Sequence, residues 1–297
     1  MNPDARWDVV GSGAAAVDDL LFLASALTAG KGRVVRREQR IGGNIATALI
    51  IAARAGARTA FTGYLPGAAS GSHLLAALRE EGIDLSTARL EADTHPIRST
   101  ILVDATGERF IAFDDDTAIG MPEDADLHVV RQARVLLLDA YGAPGGLRAA
   151  TAARRGGVDV VVDIEQVRGP QTRQLLDVAN HLILPLAFAR TLTGAATAME
   201  AVNALWREDK TAVVVTSGDN GSWYRSPASP RVEHRPAELV AVVDTTGCGD
   251  AFHGAYAAAL AGGMDLPACI EAATLAAAEC ATHAGGIAPR TMSTSTT

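Results

Sequence analysis

The sequence predicts an α/β fold, a three-layer α/β/α arrangement with a mostly parallel central sheet and a small β-sheet lid on one domain spanning 1–297. Three observations predict it. Apolar, β-branched runs recur at WDVV, TAFTGY, RVLLLDAYG, VDVVVDIE, HLILP and TAVVVTSG, and alanine-rich segments with helical spacing lie between most of them. Continuous apolar stretches such as 135–138 and 160–162 lack the alternation of a half-exposed strand, so they suit strands covered by helices on both faces. Two regions, about 17–41 and 95–116, break the pattern and supply strands for a separate lid.

Taken in order, the first strand runs into GSGAAAVDD, where Gly11, Gly13 and Ala16 fit a GxGxxA dinucleotide pattern. No helix, second strand and ribose-binding acid follow at the required distance, so ordinary strand-end glycines explain the match. RIGGNIATALIIAARAGA then sets Gly42, Gly43 and Asn44 ahead of a helix that packs through Leu49, Ile50 and Ala53. Asn44 is read either as the N-cap of that helix or, beside a glycine hinge, as an amide that meets polyol hydroxyls. HPIRSTILVDATGERFIAFDDD reads as a hairpin that turns at DATGE between arms 99–103 and 109–113. TSGDNG follows a strand, so Thr216, Ser217, Gly218 and Gly221 occupy a loop at its carboxyl end, where open α/β sheets bind ligands; an ordinary β-turn is the composition-based alternative. The polar tail 291–297 is expected to be disordered.

Composition narrows the function classes. A net charge of -8, no block of lysine or arginine and 4% aromatic residues argue against nucleic acid as a partner. No apolar run is long enough to span a membrane and MNPDARWDVV carries no signal-peptide core, so a cytoplasmic protein is expected. Cys248, Cys269 and Cys280 lack CxxC spacing and read as reduced thiols. A Walker A loop is absent, since Gly30 and Lys31 are followed by glycine.

The stretch VVDTTGCGDAFHGAYAAAL carries the chemistry. Asp250 follows two glycines where a helix begins, and it either complements the helix dipole or points at a hydroxyl approaching an anion held by the N–H groups of Gly247, Cys248 and Gly249. Together, the di-glycine before the helix near residue 43 and DTTGCGD near 247 resemble the two signatures of the ribokinase-like (PfkB) carbohydrate kinases, nearest in pattern to the ketohexokinase and sulfofructose-kinase branches. The similarity extends over nearly the whole chain, through VVVTSGDNG to the closing THAGG.

That resemblance implies a ribokinase-like fold and an ATP- and Mg²⁺-dependent kinase for a primary hydroxyl of a small sugar, a ketose, pentose or acidic derivative. It makes Asp250 the general base, with Gly247, Cys248 and Gly249 as an anion hole. It sets Thr216, Ser217, Gly218 and Gly221 against ATP, and Asp18, Gly42, Gly43, Asn44 and Thr47 against sugar. Asp244 and Thr246 match a loop that holds a monovalent cation such as K⁺ in relatives, although Asp244 could simply brace the turn. Departures accompany the matches: Thr47 stands where the family has a second asparagine, Cys248 replaces an alanine, and Pro185 and Phe188 stand where the NxxE motif belongs. Asp163 and Glu165 are the substitute candidates for arranging hydrated Mg²⁺, with surface acids as the alternative. His253, one turn past Asp250, either touches the base or packs. Arg98, Arg40 and Arg109 are the available cations for an anionic substrate. A nucleoside kinase would want aromatic lid residues, and the lid offers Phe22, Phe110 and Phe113; a sugar-binding protein without turnover is the alternative from another class. Pairing of open lid edges predicts a homodimer.

Overall fold

The computed structural model describes residues 5–28, 30–106 and 108–288; the 291–297 tail and the Arg109 side chain lie outside the described residues. The chain runs β1 (Trp7–Ser12), β2 (Ala16–Leu23), β3 (Val34–Gly42), α1 (Asn44–Arg54), β4 (Thr59–Phe61), β5 (Gly63–Pro66), α2 (Ala68–Glu80), β6 (Ala88–Glu91), β7 (Ile97–Val103) and β8 (Arg109–Asp114). It continues through α3 (His128–Arg131), β9 (Ala133–Asp139), α4 (Ala143–Arg155), β10 (Asp159–Asp163), α5 (Pro170–Val178), β11 (His181–Pro185), α6 (Leu186–Thr193) and α7 (Ala198–Leu205). Then come β12 (Ala212–Thr216), a 3₁₀ turn at Gly218–Asn220, β13 (Ser222–Ser226), β14 (Ser229–Arg235), α8 (Cys248–Ala261) and α9 (Leu266–Ala281).

Among the described residues, eight strands form one sheet in the order β14-β13-β12-β11-β10-β9-β1-β4. The strands from β4 to β12 are parallel to their neighbours, and β13 and β14 turn back antiparallel at one edge. Successive side chains point to opposite faces, and both faces are apolar. Val9, Leu137, Val161, Ile183 and Val214 join a core with α1, α2, α8 and α9. Val10, Leu136, Leu138, Val160, Val162 and Val215 join a second core with α3 to α7. This is the predicted α/β architecture, and it explains why the strands read as unbroken apolar runs.

A second sheet, order β3-β2-β7-β8, is built from the two irregular regions. Its hairpin pairs Ser99 with Phe113 and Val103 with Arg109. Two local expectations are corrected. TAFTGY divides at Thr62: β4 stays in the large sheet, whereas β5 leaves it to pair with β6, through Gly63 at a positive φ of 115°. Asn44 is the first residue of α1, and the N-cap is Gly43 at φ 88°. A Cβ on Gly43 would meet the Ala14 carbonyl oxygen at 2.7 Å, so the link between β1 and β2 approaches the start of α1 too closely there for an asparagine cap.

The helices carrying Asn44 and Asp250 cross at Gly254, where a Cβ would overlap the Ala48 carbonyl of α1. Gly254→Ala is expected to force α1 and α8 apart and to lower unfolding free energy by about 1–3 kcal/mol, read by urea denaturation.

Candidate active site

A parallel sheet presents the carboxyl ends of its strands along one edge, and the acidic residues collect there. Asp139 ends β9 and Asp163 ends β10, and the two are register partners. Asp163 is buried, and its Oδ2 accepts from Asn44 Nδ2 at 3.4 Å and lies 3.5 Å from His253 Nδ1. One carboxylate therefore joins β10 to the first residue of α1 and to α8. His253 is buried, with Nδ1 2.8 Å from the Gly249 carbonyl and Nε2 3.1 Å from the Ile183 carbonyl. It packs against Asp163 and the backbone beneath the glycine turn.

Asp250 sits in the first turn of α8, half-buried, within hydrogen-bonding reach of Asp163. Burial, and then the charges of Asp163 and Glu165, push its carboxyl well above the usual carboxylate range. Glu165 stands at the cleft rim, raised by burial of its carboxyl and by Asp163, with His253 opposing. Asp139 accepts from the N–H groups of Ala14 at 2.7 Å and Tyr141 at 2.8 Å, and its burial outweighs both, raising it to about 7.

The turn before α8 is built around Gly247, the N-cap, at φ 77°. A Cβ there would strike the Gly286 Cα, so only glycine lets the two loops meet. Of the expected donors, the Cys248 N–H turns to the Thr245 carbonyl at 3.3 Å. Gly249 and Asp250 follow it in the first turn, where helical N–H groups have no carbonyl one turn behind them. Asp244 braces the turn, its Oδ1 accepting from Thr246 N at 2.9 Å and its Oδ2 from Gly285 N at 2.8 Å.

Asp18 faces the cleft from β2, opposite Ser99 on β7; burial raises its carboxyl while the Ser99 hydrogen bond opposes. A Cβ on Gly42 would overlap Asp18 Oδ2, so Gly42 makes room for that carboxylate. Between the two sheets lies a cleft of about 310 Å³ lined by Asp18, Gly43, Asn44, Ser99, Phe113, Asp139, Tyr141, Asp163, Glu165, Arg168 and Thr246. A larger groove of about 680 Å³ lies between α1, α8 and α9, where alanines are the commonest lining residue and the charged side chains Asp8, Arg54, Arg134 and Glu279 are of mixed sign.

Several expected residues are not brought to this cleft. Arg98 is exposed, one residue out of phase with cleft-lining Ile97 and Ser99, so it faces the other side of the small sheet. Arg40 is held by Glu38 beside Gly285. Thr47 is buried in α1, its methyl beside Gly286. Phe113 lines the cleft, Phe110 is exposed, and Phe22 lies under Arg36, 3.7 Å from guanidinium to ring centroid. Thr216 ends β12 and Ser217, Gly218 and Gly221 form the turn after it, with Ser217 N donating to the Gly221 carbonyl at 2.8 Å. They lie two strands from Asp163, about 10 Å along the carboxyl edge. Phe188, in the NxxE position, is core.

The sequence reading missed Asp139, Tyr141 and Arg168. Asp139 carried a signal, an acid closing an apolar strand. Arg168 did not: it is defined by stacking on Tyr141 at 3.7 Å and by donation to Asp115 Oδ2 at 3.1 Å and to the Tyr141 hydroxyl. No three His, Cys, Asp or Glu side chains converge as a metal cage among the described residues. A magnesium ion that keeps its waters and binds nucleotide phosphates needs only one or two carboxylates, and Asp163 with Glu165 fit that requirement.

The model of the pfkB family carbohydrate kinases matches residues 13–292. The chain belongs to this family. Among pfkB relatives, the mouse (Mus musculus) ribokinase is 29% identical over 265 residues, 85% of this chain and 81% of that protein. The Arabidopsis thaliana ribokinase is 27% identical over 241 residues, 77% of this chain and 64% of that protein. The solved structure of Arabidopsis thaliana ribokinase complexed with ribose and ATP superposes with a TM-score of 0.80 at 24% identity, covering 94% of each chain, which supports the fold. As a pfkB carbohydrate kinase the protein is a phosphotransferase. No helix of the described residues is long and apolar enough to cross a membrane.

Because Asp139 is raised to about 7 from its ordinary value of 3.8, its contribution to stability is full below pH 4 and is lost as pH rises through 7. The unfolding free energy of the wild type relative to Asp139→Asn is expected to fall by on the order of 4 kcal/mol between pH 4 and pH 8, read by urea titration across that range.

Proposed function

We propose that this chain transfers the terminal phosphoryl group of ATP to a primary hydroxyl of a small, uncharged sugar, with Asp250 as general base. The observation that carries the reading is the half-buried Asp250 carboxyl in the first turn of α8, within hydrogen-bonding reach of Asp163, which lines the same cleft as Asp18 and Asn44. Sugar would bind between the small sheet and β1, with Asp18, Ser99 and Asn44 meeting its hydroxyls, and nucleotide along the edge toward Thr216, Ser217, Gly218 and Gly221. The two ends are four strand spacings apart, about 19 Å, which accommodates both substrates in line.

Asp250 takes the proton of the attacking hydroxyl, and the N–H groups of Gly247, Gly249 and Asp250, with that of Cys248 once it leaves Thr245, hold the developing charge. Asp163 and Glu165 would hold Mg²⁺ through its waters; when bound, the ion neutralises charge on the phosphate oxygens. Asp163 also keeps Asn44 and α8 in register with each other. The small sheet acts as a lid that excludes water. K⁺ at the Asp244 and Thr246 turn extends the same proposal, as do a cytoplasmic setting and a homodimer through the small sheet, where Val35 and Phe110 are exposed.

An uncharged sugar is favoured over an acidic one. Asp18, Asp139, Asp163 and Glu165 line the cleft against Arg168, and Asp115 already engages that guanidinium. A coupled ATPase screen over pentoses, ketoses, acidic sugars and nucleosides tests this, and turnover confined to acidic sugars or nucleosides would overturn the substrate assignment.

Asp250→Asn is expected to lower kcat by about 10²–10⁴ while sugar affinity, read by calorimetry, changes little. Since the carboxyl is raised, kcat/KM should fall as pH drops through its pKa, an acid limb that the variant lacks. Replacing K⁺ by tetramethylammonium should lower kcat, and an unchanged rate would remove the monovalent ion from the mechanism.

A further inference from the structure

Cys248 and Cys280 are far apart in sequence and adjacent in the fold. Cys248 is the first residue of α8 and Cys280 lies in the last turn of α9. The two helices pack side by side, which sets the start of one against the end of the other. The Cys280 Sγ lies 3.4 Å from the Thr246 carbonyl oxygen and 3.6 Å from that of Gly286, so it supports both loops that meet at Gly247. It is also within hydrogen-bonding reach of the Cys248 thiol. Cys248 is half-buried and belongs to the glycine turn, whereas Cys280 is buried behind it.

From this arrangement we propose that Cys248 and Cys280 form a peroxide-responsive thiol pair whose disulfide disables the phosphate-side turn. An accessible sulfur backed by a buried one is the arrangement that converts a first oxidation into a disulfide. The Cys248 thiolate attacks one oxygen of hydrogen peroxide, an S–O bond forms, the O–O bond breaks and hydroxide leaves. The Cys280 sulfur then attacks the sulfenic sulfur, the S–S bond forms, the S–O bond breaks, and hydroxide departs with the Cys280 proton as water. Two thiols and one peroxide give one disulfide and two waters.

An S–S bond of about 2.05 Å is far shorter than a thiol-thiol contact, so closing it draws the first residue of α8 toward α9. The Gly-Cys-Gly donors move with that residue, away from the side on which phosphate would lie. Loss of one such donor costs about 10²–10³ in rate. The effect on activity rests on the proposed kinase site, whereas the cross-link itself does not. Cys269 is the internal control: it is fully buried, donates toward the Met264 carbonyl at 3.6 Å and is pushed up to about 12 by burial.

The full-length protein is treated with hydrogen peroxide, quenched and analysed by intact mass, peptide mapping and sugar-dependent ATP turnover. The expected result is a loss of two hydrogens, about 2 Da, a Cys248–Cys280 linked peptide with Cys269 unmodified, and a fall in kcat of about 10²-fold that dithiothreitol reverses. Cys280→Ser, which keeps a hydrogen-bond donor toward the Thr246 and Gly286 carbonyls, should keep the untreated kcat and lose the linked peptide. Both thiols still reduced after peroxide, or an equal and dithiothreitol-reversible inactivation of Cys280→Ser, would overturn the proposal. Should no sugar be turned over before oxidation, the kinase reading fails, and the peptide map alone still decides the cross-link.

Discussion

Burying an acid at the end of a central strand is costly, and the rest of this molecule is organised around doing so at Asp163. Transfer of an isolated carboxylate into an apolar interior is so unfavourable that the group must find partners or lose its charge. Here the partners of Asp163, which closes β10, come from two elements: Asn44 opens α1 and His253 lies one turn into α8. The carboxylate thus acts as a joint between the sheet and the two helices whose first turns border the cleft. Burial raises Asp139, Glu165 and Asp250, and the neighbouring Asp163 adds to the rise of each. Position and charge in this cleft are therefore one problem, and each acid is where it is because of the others.

The glycines follow from the same crowding. Gly42 yields space to Asp18, Gly43 to the Ala14 carbonyl, Gly247 to Gly286 and Gly254 to Ala48. Each is a point where two segments near the acids come closer than a side chain allows. These positions look alike in the sequence, yet they answer different constraints. Gly43 and Gly247 also need a left-handed backbone, whereas Gly42 and Gly254 are absent from the positive-φ glycines and are required by contact alone.

Much of the large sheet was legible because its strands are covered on both faces, so Val135, Leu136 and Leu137 read as one apolar run. The hairpin of the small sheet was legible in its register because DATGE is a strong turn signal, although β7 begins two residues earlier and β8 ends one residue later than the predicted arms. What could not be read was anything decided by pairing partners. TAFTGY looks like one strand, and only the pairing of β5 with β6 divides it. Arg98 looked like a cleft cation until the register of β7 put Ser99 on that side instead. The acids at strand ends were partly legible: Asp163 was found and Asp139, in the same position one strand over, was not. Arg168 depends on a stacked ring 27 residues away in sequence, for which no local pattern exists.

The hydrogen bonds that define the cleft join residues very distant along the chain: Ala14 to Asp139 is a separation of 125 and Asn44 to Asp163 one of 119. Loops of that length close slowly during folding, and parallel sheets depend on them. No early intermediate with only local helices and hairpins can own the cleft, and α8 emerges from the ribosome after every strand of the large sheet. Ligand occupancy therefore reports on the completed fold rather than on any fragment of it. A sugar or nucleotide that binds only there will protect the whole chain against unfolding, with strength set by mass action.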